Sequence, residues 1–400
     1  MAFVFRRGIF GVILTQYLFI VKKSYQHKTL GILGGGQLGR MVIQSAINYN
    51  LDIHILDPDP SAPCKDIAQK FSVGSLRDFD TVYKFGQACD VITIEIENVN
   101  TDALQRLADE GKEVFPQPAI IKLIQDKRLQ KQFYKEKGIP TADFVLTENK
   151  EEVRLHADFL PAVNKLGREG YDGRGVQILR NESDLDLAFD APGLLEKLVD
   201  FEQEIAVIVA KNQSGEIRTF PAVECAFHPT ANLVEFLFSP ATITASIEKR
   251  AQEIAVEVIN AMGMVGILAV EMFVTKDGQV LVNEIAPRPH NSGHHTIEAN
   301  FTSQFEQHLR SVLNMPLGNT EGRCPAAMVN LLGEEGYTGD AYVEGLDEAI
   351  AQKGVYVHLY GKKTTKPFRK MGHVTILDES IEILKRRALA IKNLIKIKTL

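Results

Sequence analysis

The chain has 400 residues, 45% of them hydrophobic and 24% charged, with a formal charge of −6. That is the profile of a soluble globular protein of two or three domains with ample core. A net negative charge without a long basic stripe argues against nucleic acid as the main partner. Cys64, Cys89, Cys225 and Cys324 lie far apart with no CxxC pair, which excludes a disulfide framework and a zinc knuckle and fits reduced thiols in a cytoplasmic protein. Gly8 to Val21 is an apolar run between Arg6-Arg7 and Lys22-Lys23. It is shorter than the ~20 apolar residues needed to span a bilayer, and no small-residue cleavage site follows it. Residues 1–27 are therefore expected to be a lead outside the fold, translated from upstream of the real start, with export as the second reading and no membrane partner.

Lys28 to Leu33 reads as a strand running into Gly34-Gly35-Gly36-Gln37-Leu38-Gly39-Arg40, followed by a helix over Met41 to Asn50 and a strand from Asp52 that ends at Asp57. A glycine turn that presents a helix N-terminus to an anion, with an acid at the next strand end, taken literally predicts dinucleotide binding; many doubly wound domains use the same turn only for close packing. Phe71-Ser72-Val73, Val91 to Ile94 and Glu113 to Phe115 continue a parallel sheet. Glu95-Ile96-Glu97-Asn98 falls at the C-terminal end of a strand, where open α/β sheets bind ligands.

From Ala119 the character changes. A helix carries Asp126-Lys127-Arg128, and Gly138-Ile139-Pro140 stops its continuation. After a strand ending at Lys165 comes Gly167-Arg168-Glu169-Gly170-Tyr171-Asp172-Gly173-Arg174-Gly175, with four glycines and two arginines in nine residues. Such a loop can wrap phosphates with backbone N–H groups, although a plain hairpin tip has the same composition. A strand over Leu194 to Leu198 carries Glu196 and Lys197, and another apolar run, Ile205 to Ala210, follows Glu202 and Glu204.

Gly266 to Thr296 is the most informative stretch. Two Val- and Ile-rich runs flank Asp277-Gly278, a strong two-residue hairpin signal. That turn pairs Lys276 with Gln279 and sets Glu271 opposite Glu284, with Ile267, Ala269, Phe273, Val280, Val282 and Ala286 on the same face. Facing carboxylates on an apolar surface repel, and a hard divalent cation between them reverses the sign. A register one residue off would instead leave one carboxylate buried and one at the edge. The loop that leaves the hairpin holds Arg288, His290, Asn291, His294 and His295; without HExxH or a cysteine partner, zinc ligation is disfavoured. A third unit begins near Pro325 and contains Lys362-Lys363-Thr364-Thr365-Lys366-Pro367-Phe368-Arg369-Lys370, a solvated face or a phosphate site. Lys385 to Lys396 reads as an amphipathic helix and then a tail.

The glycine loop, upstream lysine, Glu196 strand and paired glutamates together resemble the ATP-grasp superfamily. GILGGGQLGRM, GYDGRG, NEIAPRPHNSGHHT and YGKKTTKPFRKMGH sharpen this to a resemblance to the 5-(carboxyamino)imidazole ribonucleotide synthase family of purine biosynthesis, over about Lys28 to Asp378. The resemblance implies a mixed α/β and α+β architecture: a Rossmann-like preATP-grasp domain (28–118), an ATP-grasp domain (119–318, lid about 142–205) and a small, mostly β C-terminal domain with a tail (325–400). It also implies a cytoplasmic homodimer that uses ATP, with magnesium or manganese, to carboxylate 5-aminoimidazole ribonucleotide with bicarbonate.

By the same resemblance, Lys127 and Lys165 contact ATP phosphates, and Gly170, Tyr171, Asp172, Gly173, Arg174, Gly175 and Val176 cover them. Glu196, Lys197, Leu198 and Val199 line the adenine, with Glu204 on the ribose. Glu271 and Glu284 hold the metal beside Asn283. Arg288, His290 and Asn291 hold bicarbonate and carboxyphosphate. Tyr171, Asp172, Arg174, Glu97 and Lys362 face the aminoimidazole, while Lys366, Arg369, Lys370 and Gln37 hold the ribonucleotide phosphate. Two departures stand out: Glu169 where the family more often has glycine, and Lys366-Pro367-Phe368-Arg369-Lys370 where RPGRK is common. Competing readings are a sister ligase, such as formate-dependent glycinamide ribonucleotide transformylase or a biotin carboxylase, a nicotinamide-dependent oxidoreductase, and a non-catalytic nucleotide sensor.

Overall fold

The structure, a computed structural model, describes residues 25–168, 170, 175–227 and 233–400. The lead up to residue 24, Glu169, Tyr171, Asp172, Gly173, Arg174 and His228 lie outside the described residues. No described helix is long and apolar enough to cross a membrane.

The first unit is a five-stranded parallel sheet in the order Lys70–Val73, Asp52–Asp57, Thr29–Leu33, Val91–Ile94, Glu113–Val114. Its central strands are buried on both sides, as their continuous apolar runs require. The helix Gln37–Ile47 packs Met41, Val42 and Ile43 into a cluster that also takes Phe305, Leu309 and Val312 from the helix Gln304–Val312. That helix sits on both the first unit and the second, and His308 reinforces the joint through a 3.0 Å hydrogen bond with Thr93.

The second unit has two sheets. Four antiparallel strands, ordered Phe144–Thr147, Gly193–Lys197, Ala162–Leu166, Val176–Leu179, carry the glycine loop at one end. The larger sheet runs through Val280–Ala286, Gly266–Thr275, Phe201–Lys211, Val223–Phe227 and Val234–Ser239. The helix Ala245–Ala261, capped by the Thr244 hydroxyl, buries Ala251, Ile254, Ala255, Val258 and Ile259 against it. This three- and four-residue spacing makes one continuous apolar stripe.

The larger sheet does not stop at the third unit. Val234–Ser239 pairs with Ala326–Leu332, which pairs with Lys370–Leu377 and so with Val355–Leu359. The expected tail is instead a strand: Lys396–Thr399 follows the helix Ile381–Leu394 and pairs with Gly339–Glu344. Its alternation of Ile397 into the core with lysines outward is the period-2 pattern of a strand.

Candidate active site

The hairpin differs from its expected form at the turn and agrees with it at the carboxylates. Thr275 donates its N–H to Gln279 O and Gly278 donates to Thr275 O, both at 2.9 Å. With Gly278 at φ +83° this is a three-residue loop, not the expected two-residue turn. Met272, Phe273 and Val274 therefore lie opposite Val282, Leu281 and Val280. A bulge between Glu271 and Met272 then restores the expected register, and Glu271 lies opposite Glu284. The correction moves Val280 and Val282 into the core with Met272 and Val274, while Leu281 takes the place beside Phe273. The extra residue of the bulge also lets two neighbours reach the same cleft: Asn283 accepts a 3.0 Å hydrogen bond from Lys165, and Glu284 pairs with Lys127.

Both lysines come from elements locked to this floor. Asp126 caps the helix Lys127–Lys137 and holds Arg128 (2.8 Å) and Arg168 (3.2 Å), so the base of the glycine loop is tied to the start of the helix. Lys127 N–H donates to Gly167 O at 2.7 Å. A Cβ on Gly193 would meet Lys165 O at 2.3 Å, so the strands carrying Lys165 and Glu196 can approach only with glycine there. Of the loop itself, Gly167, Arg168, Gly170 and Gly175 are described, and Gly175 takes φ +75° as it returns to Val176.

The charges are unequal in state. Facing carboxylates repel, and the more strongly the further they are withdrawn from water. Burial, and then Glu284, push the Glu271 carboxyl up to about 7. Burial and Glu271 likewise push Glu204, on the neighbouring strand, up to about 7. Glu284 goes the other way: its enclosed setting raises it, but Lys127 and Lys165 outweigh that and hold it below the usual carboxylate range. Glu196 is buried between Lys131 and Lys165, the latter 2.5 Å away. Lys131 escaped the sequence reading, although it lies one helical turn beyond Lys127 and so shares its face. Lys197 turns away, donating to Phe159 O at 2.8 Å, and Leu198 and Val199 follow at the strand end.

The loop after the hairpin is built from buried amides. Gln304 accepts from His290 N–H (2.9 Å) and donates to His290 O (2.7 Å). His290 Nδ1 bonds the Ser292 hydroxyl at 2.9 Å, and its Nε2 lies 3.6 Å from Glu271. Asn291 is engaged in a reciprocal amide pair with Asn330, both bonds 2.9 Å. Arg288 reaches across to the first unit, its Nε 2.8 Å from Glu97. His294 and His295 point into the core, and burial first of all drives both below the usual imidazole range. Among the described residues no cluster of three His, Cys, Asp or Glu side chains is placed to hold a metal alone.

In the first unit, Gly35 N–H donates to Asp57 (2.6 Å), and Gly36 and Leu38 N–H donate to Glu95 (2.7 and 3.1 Å). The glycine turn thus binds the protein's own carboxylates, which removes the ground for a dinucleotide reading. Gln37 begins the helix beside them. In the third unit Lys362 donates to Lys370 O (2.7 Å) and Arg369 to Thr364 O (2.7 Å), while Lys366 is exposed. Phe368 has φ +62°, a left-handed conformation that glycine adopts freely; this accounts for the glycine common at that place in RPGRK.

Comparison with known proteins accords with this arrangement. Residues 27–125 match the ribonucleotide synthetase preATP-grasp domain, 132–305 the ATP-grasp domain and 326–387 the phosphoribosylaminoimidazole carboxylase C-terminal domain. The N5-carboxyaminoimidazole ribonucleotide synthase of Synechococcus elongatus is 39% identical over 364 residues, 89% of this chain and 91% of that one. The chloroplastic phosphoribosylaminoimidazole carboxylase of Vigna aconitifolia is 37% identical over 89% of this chain, which spans only 65% of that longer protein. The crystal structure of N5-carboxyaminoimidazole ribonucleotide synthetase from Thermotoga maritima superposes with a TM-score of 0.86 at 42% identity, covering 93% of this chain and all (100%) of that one. The Aspergillus clavatus synthase in complex with ADP and 5-aminoimidazole ribonucleotide gives 0.83 at 31% identity, covering 92% and 99%. The chain belongs to the N5-carboxyaminoimidazole ribonucleotide synthase family of ATP-grasp enzymes.

Proposed function

We propose that this protein carboxylates 5-aminoimidazole ribonucleotide with bicarbonate at the expense of ATP, giving N5-carboxyaminoimidazole ribonucleotide, ADP and phosphate. The observation that carries the reading is the Arg288–Glu97 ion pair. It joins the end of the carboxylate strand, with Glu271 and Glu284, to the C-terminal strand edge of the first unit, which supports a nucleotide substrate meeting the phosphoryl donor there. The same pair of carboxylates fits a hard divalent cation, magnesium or manganese: among the described residues these two face one another, which leaves further positions to phosphates and water. Bound there, the cation supplies charge neutralisation for phosphoryl transfer.

The residue roles are those that the family resemblance implies, and the gathering of Lys127, Lys165, Asn283 and Glu284 in one cleft supports them. Lys127 and Lys165 take the ATP phosphates, and the loop from Gly170 to Val176 covers them. Glu196, Lys197, Leu198 and Val199 line the adenine and Glu204 the ribose. The guanidinium of Arg288 holds bicarbonate in a fork, flanked by His290 and steadied by Asn291. A bicarbonate oxygen attacks the γ-phosphorus, the bond to ADP breaks, and the lysines and Arg288 stabilise the spreading charge. The exocyclic amine then forms its C–N bond to the carboxyl carbon, gives up a proton, and phosphate leaves. Glu97, Lys362, Tyr171, Asp172 and Arg174 orient the aminoimidazole; Gln37, Lys366, Arg369 and Lys370 take its phosphate. The working form is a cytoplasmic homodimer, as the family resemblance implies. Carbon-13 NMR with labelled bicarbonate, ATP and aminoimidazole ribonucleotide tests the chemistry. A carbamate signal requiring all three supports it, and no label transfer with active ATP turnover sinks it.

A further inference from the structure

Lys131 is the most deeply buried cation near the cleft. Its side chain is 4% exposed, against 3% for Glu196 and 13% for Lys165. Its ammonium donates to Glu196 Oε1 and to the Thr141 hydroxyl. The Thr141 proton is already given to Val282 O (2.6 Å), so the hydroxyl oxygen is left to accept from Lys131. The rings of Tyr134 and Phe144 have centroids 5.9 and 6.0 Å from the ammonium, within cation–π range. Each of these direct contacts stabilises a cation, while burial and the nearby ammonium groups of Lys165 and Lys127 push Lys131 down to about 8, and the group is sealed from the cleft.

The other carboxylate oxygen of Glu196 takes Lys165, which alone of the three also opens to the cleft and bonds Asn283 of the metal-site bulge. Two ammonium groups and one carboxylate leave a net single positive charge, and its only outlet is Lys165. Without Lys131, Lys165 and Glu196 form a neutral pair that attracts phosphate weakly.

We propose that Lys131 is a positioning residue for ATP: it neutralises Glu196 from beneath, so that Lys165 presents an uncancelled charge to the phosphates. The inference rests on the reading of this cleft as the ATP site. It predicts that Lys131→Met raises KM for ATP about tenfold or more while KM for aminoimidazole ribonucleotide stays within about threefold. The decisive comparison is a double-mutant cycle with Glu196→Gln. With both groups gone, Lys165 alone carries the same single positive charge as the wild-type trio, so K131M/E196Q should return KM for ATP to within about threefold of wild type. A KM for ATP still raised about tenfold or more above wild type in K131M/E196Q overturns the proposal in favour of packing or direct contact. So does an unchanged KM for ATP in folded K131M. K131M/E196Q leaves neither Lys131 nor Glu196 buried without its partner, so its comparison with wild type stands even if either single variant fails to fold. Wild-type protein that neither binds ADP nor turns over ATP would instead refute the reading of the cleft itself.

Discussion

Gly36 donates its backbone N–H to Glu95 Oε2 at 2.7 Å, so a helix N-terminus of the kind that holds phosphate in dinucleotide enzymes is filled by a carboxylate of the same chain. A Cβ on Gly36 would stand 2.5 Å from the other Glu95 oxygen, so the glycine serves this internal contact.

Glu95→Ala strips the partner from two backbone donors, Gly36 and Leu38. Each unmet donor costs roughly 1–3 kcal/mol, so the variant should lose about 2–6 kcal/mol of stability. Denaturant unfolding measures this. An unchanged midpoint would mean that water replaces the carboxylate without penalty.

Glu284→Gln keeps the shape of the hairpin and removes the charge that pairs with Lys127. Turnover should fall by about a hundredfold or more, as expected when charge stabilisation at a phosphoryl group is lost. The thermal midpoint should stay within a few degrees of wild type. Retained activity would show that the facing glutamates do not form the metal floor.

Arg288→Ala removes both the bicarbonate fork and the bond to Glu97. A charge-stabilising donor of this kind contributes about 3 kcal/mol to the barrier, and the loss should appear with a raised KM for bicarbonate. Steady-state rates at varied bicarbonate report it, and an unaltered bicarbonate dependence would move the carboxyl site elsewhere.

Acid sensitivity follows from the buried imidazoles. Burial depresses His308 and His295 to about 4 from the ordinary 6.5. The unfolded chain takes up these protons first, so their contribution is present above pH 6.5 and is lost as the pH falls through about 4. For one imidazole the full loss is roughly 3 kcal/mol. Replacing His308 with Asn should make the fall of the unfolding midpoint between pH 6.5 and 4 shallower than in wild type. A parallel fall would assign the acid limb to other groups.

The facing of Glu271 and Glu284 was legible because one short hairpin carries both residues. The register succeeded through compensation. A turn one residue longer than expected was offset by a bulge at Asn283, and neither leaves a compositional trace that the other does not cancel. What stayed hidden depended on distant partners. Lys131 is ordinary in a helix until Glu196 and Thr141 arrive from two other elements. Asn330 matters only because Asn291 folds onto it. The last strand, Lys396–Thr399, looked like a charged tail because lysines flank its one buried residue, Ile397, and pairing with Gly339–Glu344 and with Gly333 orders it.

The central claim is that one cleft joins ATP, bicarbonate and aminoimidazole ribonucleotide. Its most direct test is steady-state ADP release with magnesium, measured with each of the other two substrates left out in turn. The arrangement predicts release that needs bicarbonate and that accelerates when aminoimidazole ribonucleotide is added. ADP release indifferent to that nucleotide would contradict it.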